Sequence, residues 1–147
     1  MKNLENKIVA IDANILIYAS RKTSAYYKVS RELILKGLNN KIQLCIADKT
    51  LFEYYAVISN ILFKNKPESA IKAYKFYLNQ KNLIYLHSSL HTKDIVFELL
   101  KTKQAKGKYI HDLVLGAIIL ENDVDIFITN NQKDFDFLKG VEVLKPI

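Results

Sequence analysis

With a single cysteine, Cys45, in 147 residues, the chain can form no internal disulfide. Cys45 lies in the run Ile42-Gln43-Leu44-Cys45-Ile46, where a buried packing thiol is expected rather than a nucleophile. A lone unpaired thiol fits a reducing compartment. Glycine and proline are scarce, four and two, and no linker, repeat or low-complexity stretch interrupts the chain. Long apolar runs are also missing. The longest, residues 113–120, is far short of the roughly 20 residues that span a bilayer. The opening segment Met1-Lys2-Asn3-Leu4-Glu5-Asn6-Lys7 is polar and lacks the apolar centre of a signal peptide. No membrane partner is expected, and a cytoplasmic location is. No glycine-rich phosphate loop of the GxGxxG or Walker type occurs, which argues against nucleotide-cofactor enzymes.

Half of the residues are hydrophobic and 25% are charged, the make-up of one globular domain covering residues 1–147. The net charge is +7. A basic domain of this size suits a polyanion, nucleic acid first. Nearly all the basic residues are lysine, with only Arg21 and Arg31 as arginine, so an AT-rich genome is an alternative source of the bias.

Short apolar runs alternate with longer helical patterns. Strands are expected over residues 8–11, 42–46, 83–87, 125–129 and 141–144. Helices are expected over 13–19, 25–38, 51–63, 67–80, 93–103 and 110–121, with a short piece near 132–138. This alternation predicts an α/β domain with a mainly parallel sheet. The paired helices between early strands suggest a helical hairpin on one side. In such sheets ligands bind beyond the carboxyl ends of the strands.

Four polar places lie there. Ile11-Asp12-Ala13-Asn14 ends the first strand in an acid and starts an apolar helix. Either Asp12 or Asn14 could cap that helix; if Asn14 does, Asp12 is left facing the cleft. Asp48-Lys49-Thr50-Leu51-Phe52-Glu53 follows the second strand. Thr50 and Glu53 have capping-box spacing, yet the same position would bring Glu53 near Asp12. His111-Asp112 opens a helix that is apolar almost all round. Asp112 there suits the helix dipole, but a buried carboxylate is costly unless paired or bound to a cation. Gly116, one turn on, would admit the close approach of another backbone. Thr129-Asn130-Asn131 and Asp134 follow the fourth strand, as turn residues or as site residues. Converging carboxylates favour a hard cation such as Mg²⁺ or Mn²⁺, and such a cation can activate water and neutralise charge on a phosphodiester.

These residues resemble the PIN-domain family, in particular VapC-type toxins. The strand-Asp-small-Asn-apolar opening is Ile11 to Tyr18, the acid of the second helix is Glu53, and the acid before a buried helix is Asp112. The closing Thr, two polar residues and Lys-Asp-Phe span Thr129 to Phe135. The family's fourth acid is replaced by Asn131, with Asp134 one turn on. The resemblance implies a three-layer α/β/α fold with a five-stranded mainly parallel sheet and endoribonuclease activity dependent on Mg²⁺ or Mn²⁺. It also implies an RNA substrate, a homodimer and a small antitoxin partner. Asp12, Glu53 and Asp112 would hold metal, assisted by Asn131 and Asp134, with Asn14 and Thr129 beside the substrate.

Lys101, Lys103, Lys106 and Lys108 crowd the segment before Asp112. They read as an RNA guide, Lys106 and Lys108 above all, or as a solvated loop. His111 adjoins Asp112 and reads as an exposed loop histidine or as a substrate contact. His87 and His91 fall across a strand-to-loop boundary, which argues against zinc. Two rivals remain. One is a PIN domain whose metal site has decayed at Asn131 and which binds RNA or protein. The other is a phosphatase with an Asp nucleophile, which Asn14 disfavours because that class places a second Asp there.

Overall fold

A computed structural model describes residues 3–147; Met1 and Lys2 of the polar opening segment lie outside the described residues. Five parallel strands form one sheet in the order β3-β2-β1-β4-β5. They are β1 (Ile8–Ile11), β2 (Gln43–Ala47), β3 (Ile84–Leu86), β4 (Ile126–Ile128) and β5 (Glu142–Leu144). Each falls within or one residue beyond its predicted span. The helices are α1 (Ala13–Ser20), α2 (Tyr27–Leu38), α3 (Asp48–Val57), α4 (Pro67–Leu78), α5 (Thr92–Lys103) and α6 (Tyr109–Glu121).

The period of two along each strand divides the core into two layers. Val9, Ile11, Leu44, Ile46, Ile126 and Ile128 face one side, where α1 to α4 pack. Ala10, Cys45, Ala47 and Phe127 face the other, against Leu113, Leu115, Ile118 and Ile119 of α6 and Phe135. Both faces are covered, which is why the central strands read as unbroken apolar runs. Cys45 is buried and burial pushes its thiol up to about 11, so it is a packing residue.

Three helix boundaries depart from expectation by two residues or more, one of them the end of α4 at Leu78 rather than 80. The helix expected over 51–63 begins three residues earlier, at Asp48. Its last part, Ile58–Leu62, is a π-helical turn. The helix expected over 25–38 starts at Tyr27, because Ser24 turns the chain first, its Oγ accepting from Tyr26 N at 3.1 Å. Gly116 does admit a close neighbour, but that neighbour is a side chain: a Cβ there would stand 2.4 Å from the Phe137 ring.

The chain runs outward from β1 to β2 and β3, then crosses back to place β4 on the other side of β1. The sheet therefore reverses direction between β1 and β4. At such a switch point the connections leave in opposite directions and open a crevice at the carboxyl ends. Asp12 N donates to Ile128 O at 3.1 Å across that point, so Asp12 and Thr129, the residues just past β1 and β4, sit side by side.

Candidate active site

Asp12 is 6% exposed and both of its carboxylate oxygens are occupied. Oδ1 accepts from Ala13 N at 2.7 Å. Oδ2 accepts from Thr129 Oγ1 at 2.7 Å and from Asn14 Nδ2 at 3.1 Å. Thr129 Oγ1 in turn accepts from Asn131 N at 3.0 Å. Of the two candidates the cap of α1 is thus Asp12, and Asn14 does not take that role. Asn14 lies inside the helix and holds the carboxylate instead. One acid serves both purposes because its two oxygens point to different neighbours. Burial raises the Asp12 carboxyl above its ordinary range, and the bonds from Thr129, Ala13 and Asn14 pull it back in part.

The capping box expected of Thr50 and Glu53 does not form. Ala47 precedes the first turn of α3 without a side-chain cap, and Asp48 Oδ1 accepts from Lys49 N at 2.6 Å. Thr50 is buried with its hydroxyl unpartnered. Starting the helix at Asp48 carries Glu53 past the end positions where a capping box operates. The Glu53 carboxyl is raised by partial desolvation and by the negative charge of Asp12, and lowered by Lys49.

Asp112 lies in the first turn of α6. Its carboxyl is pushed up to about 6, first by desolvation, then by the charges of Asp134, Asp12 and Glu53, against Lys49. The charges of Asp134, Asp12 and Glu53, from three separate segments, thus reach Asp112, and that of Asp12 reaches Glu53. Asp134 and Asn131 border a neighbouring depression with Asn130, Gln132, Lys133 and Lys145, and both are exposed.

Beside these acids opens a cleft of about 710 Å³ lined by Asp48, Lys49, Phe52, Glu53, Ala56, Lys108, His111, Asp112 and Leu115. The four lysines before Asp112 do not act as one cluster. Lys101 pairs with Glu98 at 2.9 Å and Lys103 with Asp136 at 2.6 Å. Lys106 is exposed and is not among the residues lining the cleft, whereas Lys108 is. His111 is helical, not a loop residue, with Nδ1 3.2 Å from Lys49 Nζ. His87 faces Asp48 at 3.5 Å, and His91 precedes α5. Lys49 and Phe52 escaped the sequence reading. Their spacing with Glu53 and Ala56 on one helix face was the available signal.

Among the described residues, no three or more His, Cys, Asp or Glu side chains are grouped closely enough to hold a metal ion as they stand. The donor chemistry nevertheless fits a hard cation. The side chains offer oxygen, burial and the charges of Asp134, Asp12 and Glu53 raise the Asp112 carboxyl, and Asn14 Oδ1 is buried beside Asp12 with no partner. A bound cation would relieve that mutual repulsion.

No family model matches the chain, and no curated protein matches its sequence. Solved structures do match. VapC20 of Mycobacterium tuberculosis, a Sarcin-Ricin loop cleaving toxin, superposes with a TM-score of 0.68 at 12% identity, covering 92% of this chain and 98% of that one. VapBC2 of Rickettsia felis, bound to a DNA fragment from its promoter, gives 0.66 at 21% identity, with 93% and 97% covered. FitAcB of Neisseria gonorrhoeae gives 0.68 at 14%, with 94% and 97% covered. The chain has the PIN-domain fold of these proteins.

Proposed function

We propose that the chain is an endoribonuclease dependent on Mg²⁺ or Mn²⁺, acting as the toxin of a toxin–antitoxin pair. The observation that carries this reading is the placement of Asp12, Glu53 and Asp134 around Asp112, whose carboxyl is raised to about 6 first by burial and then by their charges. Acids are brought together against their own repulsion where a cation completes the set. Asp12, Glu53 and Asp112 would hold it, with Asn131 and Asp134 assisting from the adjacent turn. The cation would supply positive charge against a phosphodiester and lower the pKa of an attacking water.

The chain's own residues do the positioning. Thr129 and Asn14 fix the Asp12 carboxylate in one orientation through two hydrogen bonds to Oδ2. Lys49 stands close enough to Glu53 and Asp112 to favour their ionised forms, and Lys49 and Lys108 line the cleft as phosphate contacts. Lys106, exposed nearby, adds to the positive approach. The net charge of +7 steers a polyanion towards the molecule.

A small antitoxin partner is proposed from the fold, since structures of the same fold include a toxin–antitoxin complex from Klebsiella pneumoniae. A homodimer in the cytoplasm completes the reading; among the described residues no helix is long and apolar enough to cross a membrane. Incubation of purified protein with RNA tests the activity. Cleavage with Mg²⁺ or Mn²⁺ is expected, abolished by chelator, by Asp12→Asn and by Asp112→Asn, with the far-ultraviolet circular dichroism retained. Metal-independent RNA binding without cleavage would refute the enzyme and favour a binding module that has lost the fourth acid at Asn131.

A further inference from the structure

One wall of the cleft is a single face of α3. Lys49, Phe52, Glu53 and Ala56 fall at i, i+3, i+4 and i+7, the spacing that aligns side chains along one side of a helix, and all four line the cleft. Thr50, Leu51 and Tyr54 are the residues α3 buries, so packing accounts for the other side of the helix and leaves this one free. Phe52 is 66% exposed, an aromatic ring standing in water next to an acid of the candidate active site. Ala56, one turn further on, carries only a methyl group and leaves space beside the ring. Across the cleft stand Lys108 and His111, and Lys49 Nζ lies 3.2 Å from His111 Nδ1.

We propose that this face is a nucleotide subsite for single-stranded RNA, in which Phe52 stacks on an unpaired base while Lys49 and Lys108 hold the adjoining phosphate. Lys49 and Phe52 are about 4.5 Å apart along the helix axis, so ammonium and ring can serve one nucleotide. A ring on a cleft rim can stack only on a base that has left its neighbours. Bases in an A-form duplex present edges and backbone instead, so the subsite selects loops, bulges and ends. Stacking is indifferent to base identity, so the subsite recognises strand form and leaves sequence choice to other contacts. A second copy of the chain is the poorer occupant. Asp48, Lys49, Glu53, Lys108 and Asp112 line the same cleft as the ring, whereas the centre of a protein interface is depleted of charge.

This subsite rests on the ribonuclease reading above, and the test separates the two. The chain contains no tryptophan, so Phe52→Trp places one reporter in the cleft. The probe is an oligoadenylate of about ten nucleotides, free or annealed to oligouridylate, titrated in an Asp112→Asn background that leaves the strand intact. Saturable quenching of the indole by the single strand is expected. Phe52→Ala should weaken binding about tenfold with the salt dependence unchanged, because stacking releases no counterions. Lys49→Met should weaken binding and reduce the slope of log affinity against log salt by about 0.7. The duplex should bind indifferently to Phe52→Ala. If Phe52→Ala binds the single strand as its parent does while the wild type cleaves RNA, the subsite alone is refuted. A drop in molecular mass on Phe52→Ala with RNA binding unchanged would assign the ring to a second copy and overturn it equally. If the wild type cleaves no RNA with either cation, the subsite falls together with the reading beneath it.

Discussion

Replacing Asp112 by Asn should stabilise the protein at neutral pH in the absence of divalent cation. The Asp112 carboxyl rises from an ordinary 3.8 to about 6 through desolvation and the charges of Asp134, Asp12 and Glu53. A carboxyl with a raised pKa holds its proton more tightly in the folded chain than in the unfolded one, so protonation favours folding. Stability from this group is fully present below pH 3.8 and is lost as pH rises through about 6. Taken at face value the rise corresponds to about 3 kcal/mol. Asp112 is only half-buried, and solvent screening reduces the figure to about 1–1.5 kcal/mol. Asparagine keeps the shape and removes the charge. For a domain of this length the gain is about 3–6 °C in melting temperature. Thermal melts of wild type and Asp112→Asn in chelator, between pH 4 and pH 8, measure it. The gap should be widest at pH 8 and close towards pH 4, where the wild-type carboxyl is itself protonated. Saturating Mn²⁺ should reverse the order, since a cation at a hundredfold excess over its dissociation constant stabilises a folded protein that binds it by about 2.7 kcal/mol. A gap independent of pH, or a variant that gains as much from Mn²⁺ as the wild type, would refute the proposition that Asp112 shares a strained acidic site.

Thr129→Val should cost about 1–3 kcal/mol in denaturant unfolding, because it leaves Asp12 Oδ2, Asn14 Nδ2 and Asn131 N without their hydroxyl partner in a largely buried setting. Thr129→Ser, which keeps the hydroxyl, should lose less; a Thr129→Val variant as stable as the wild type would show that the hydroxyl contributes nothing. Gly116→Val should destabilise by about 1–3 kcal/mol through overpacking against Phe137. Adding Phe137→Leu should restore part of it, and a double variant no better than the single would rule out the ring as the obstacle.

Local pattern carried the architecture. Runs such as Ile8-Val9-Ala10-Ile11 and Ile126-Phe127-Ile128 are apolar on both faces, which requires strands covered on both sides, hence a parallel sheet between helical layers. The near-continuous apolar stretch from Leu113 required a buried α6. The polar residues that end these runs marked where chemistry could occur, since a helix or strand terminus is where side chains leave the core. What pattern could not reveal was which of two candidates fills one role. Asp12 and Asn14 are both good caps by residue type, and only the hydrogen bond from Ala13 N assigns the cap to Asp12. Thr50 and Glu53 matched a capping box, but whether such a box exists depends on where α3 starts, and tertiary packing put that at Asp48. The lysines before Asp112 are close in sequence, yet Lys101 and Lys103 are held by Glu98 and Asp136 while Lys108 lines the cleft. Charge interaction depends on distance through space and on burial. Those are set by the reversal of the sheet between β1 and β4, which brings together residues more than a hundred positions apart, and no local window of sequence contains that reversal.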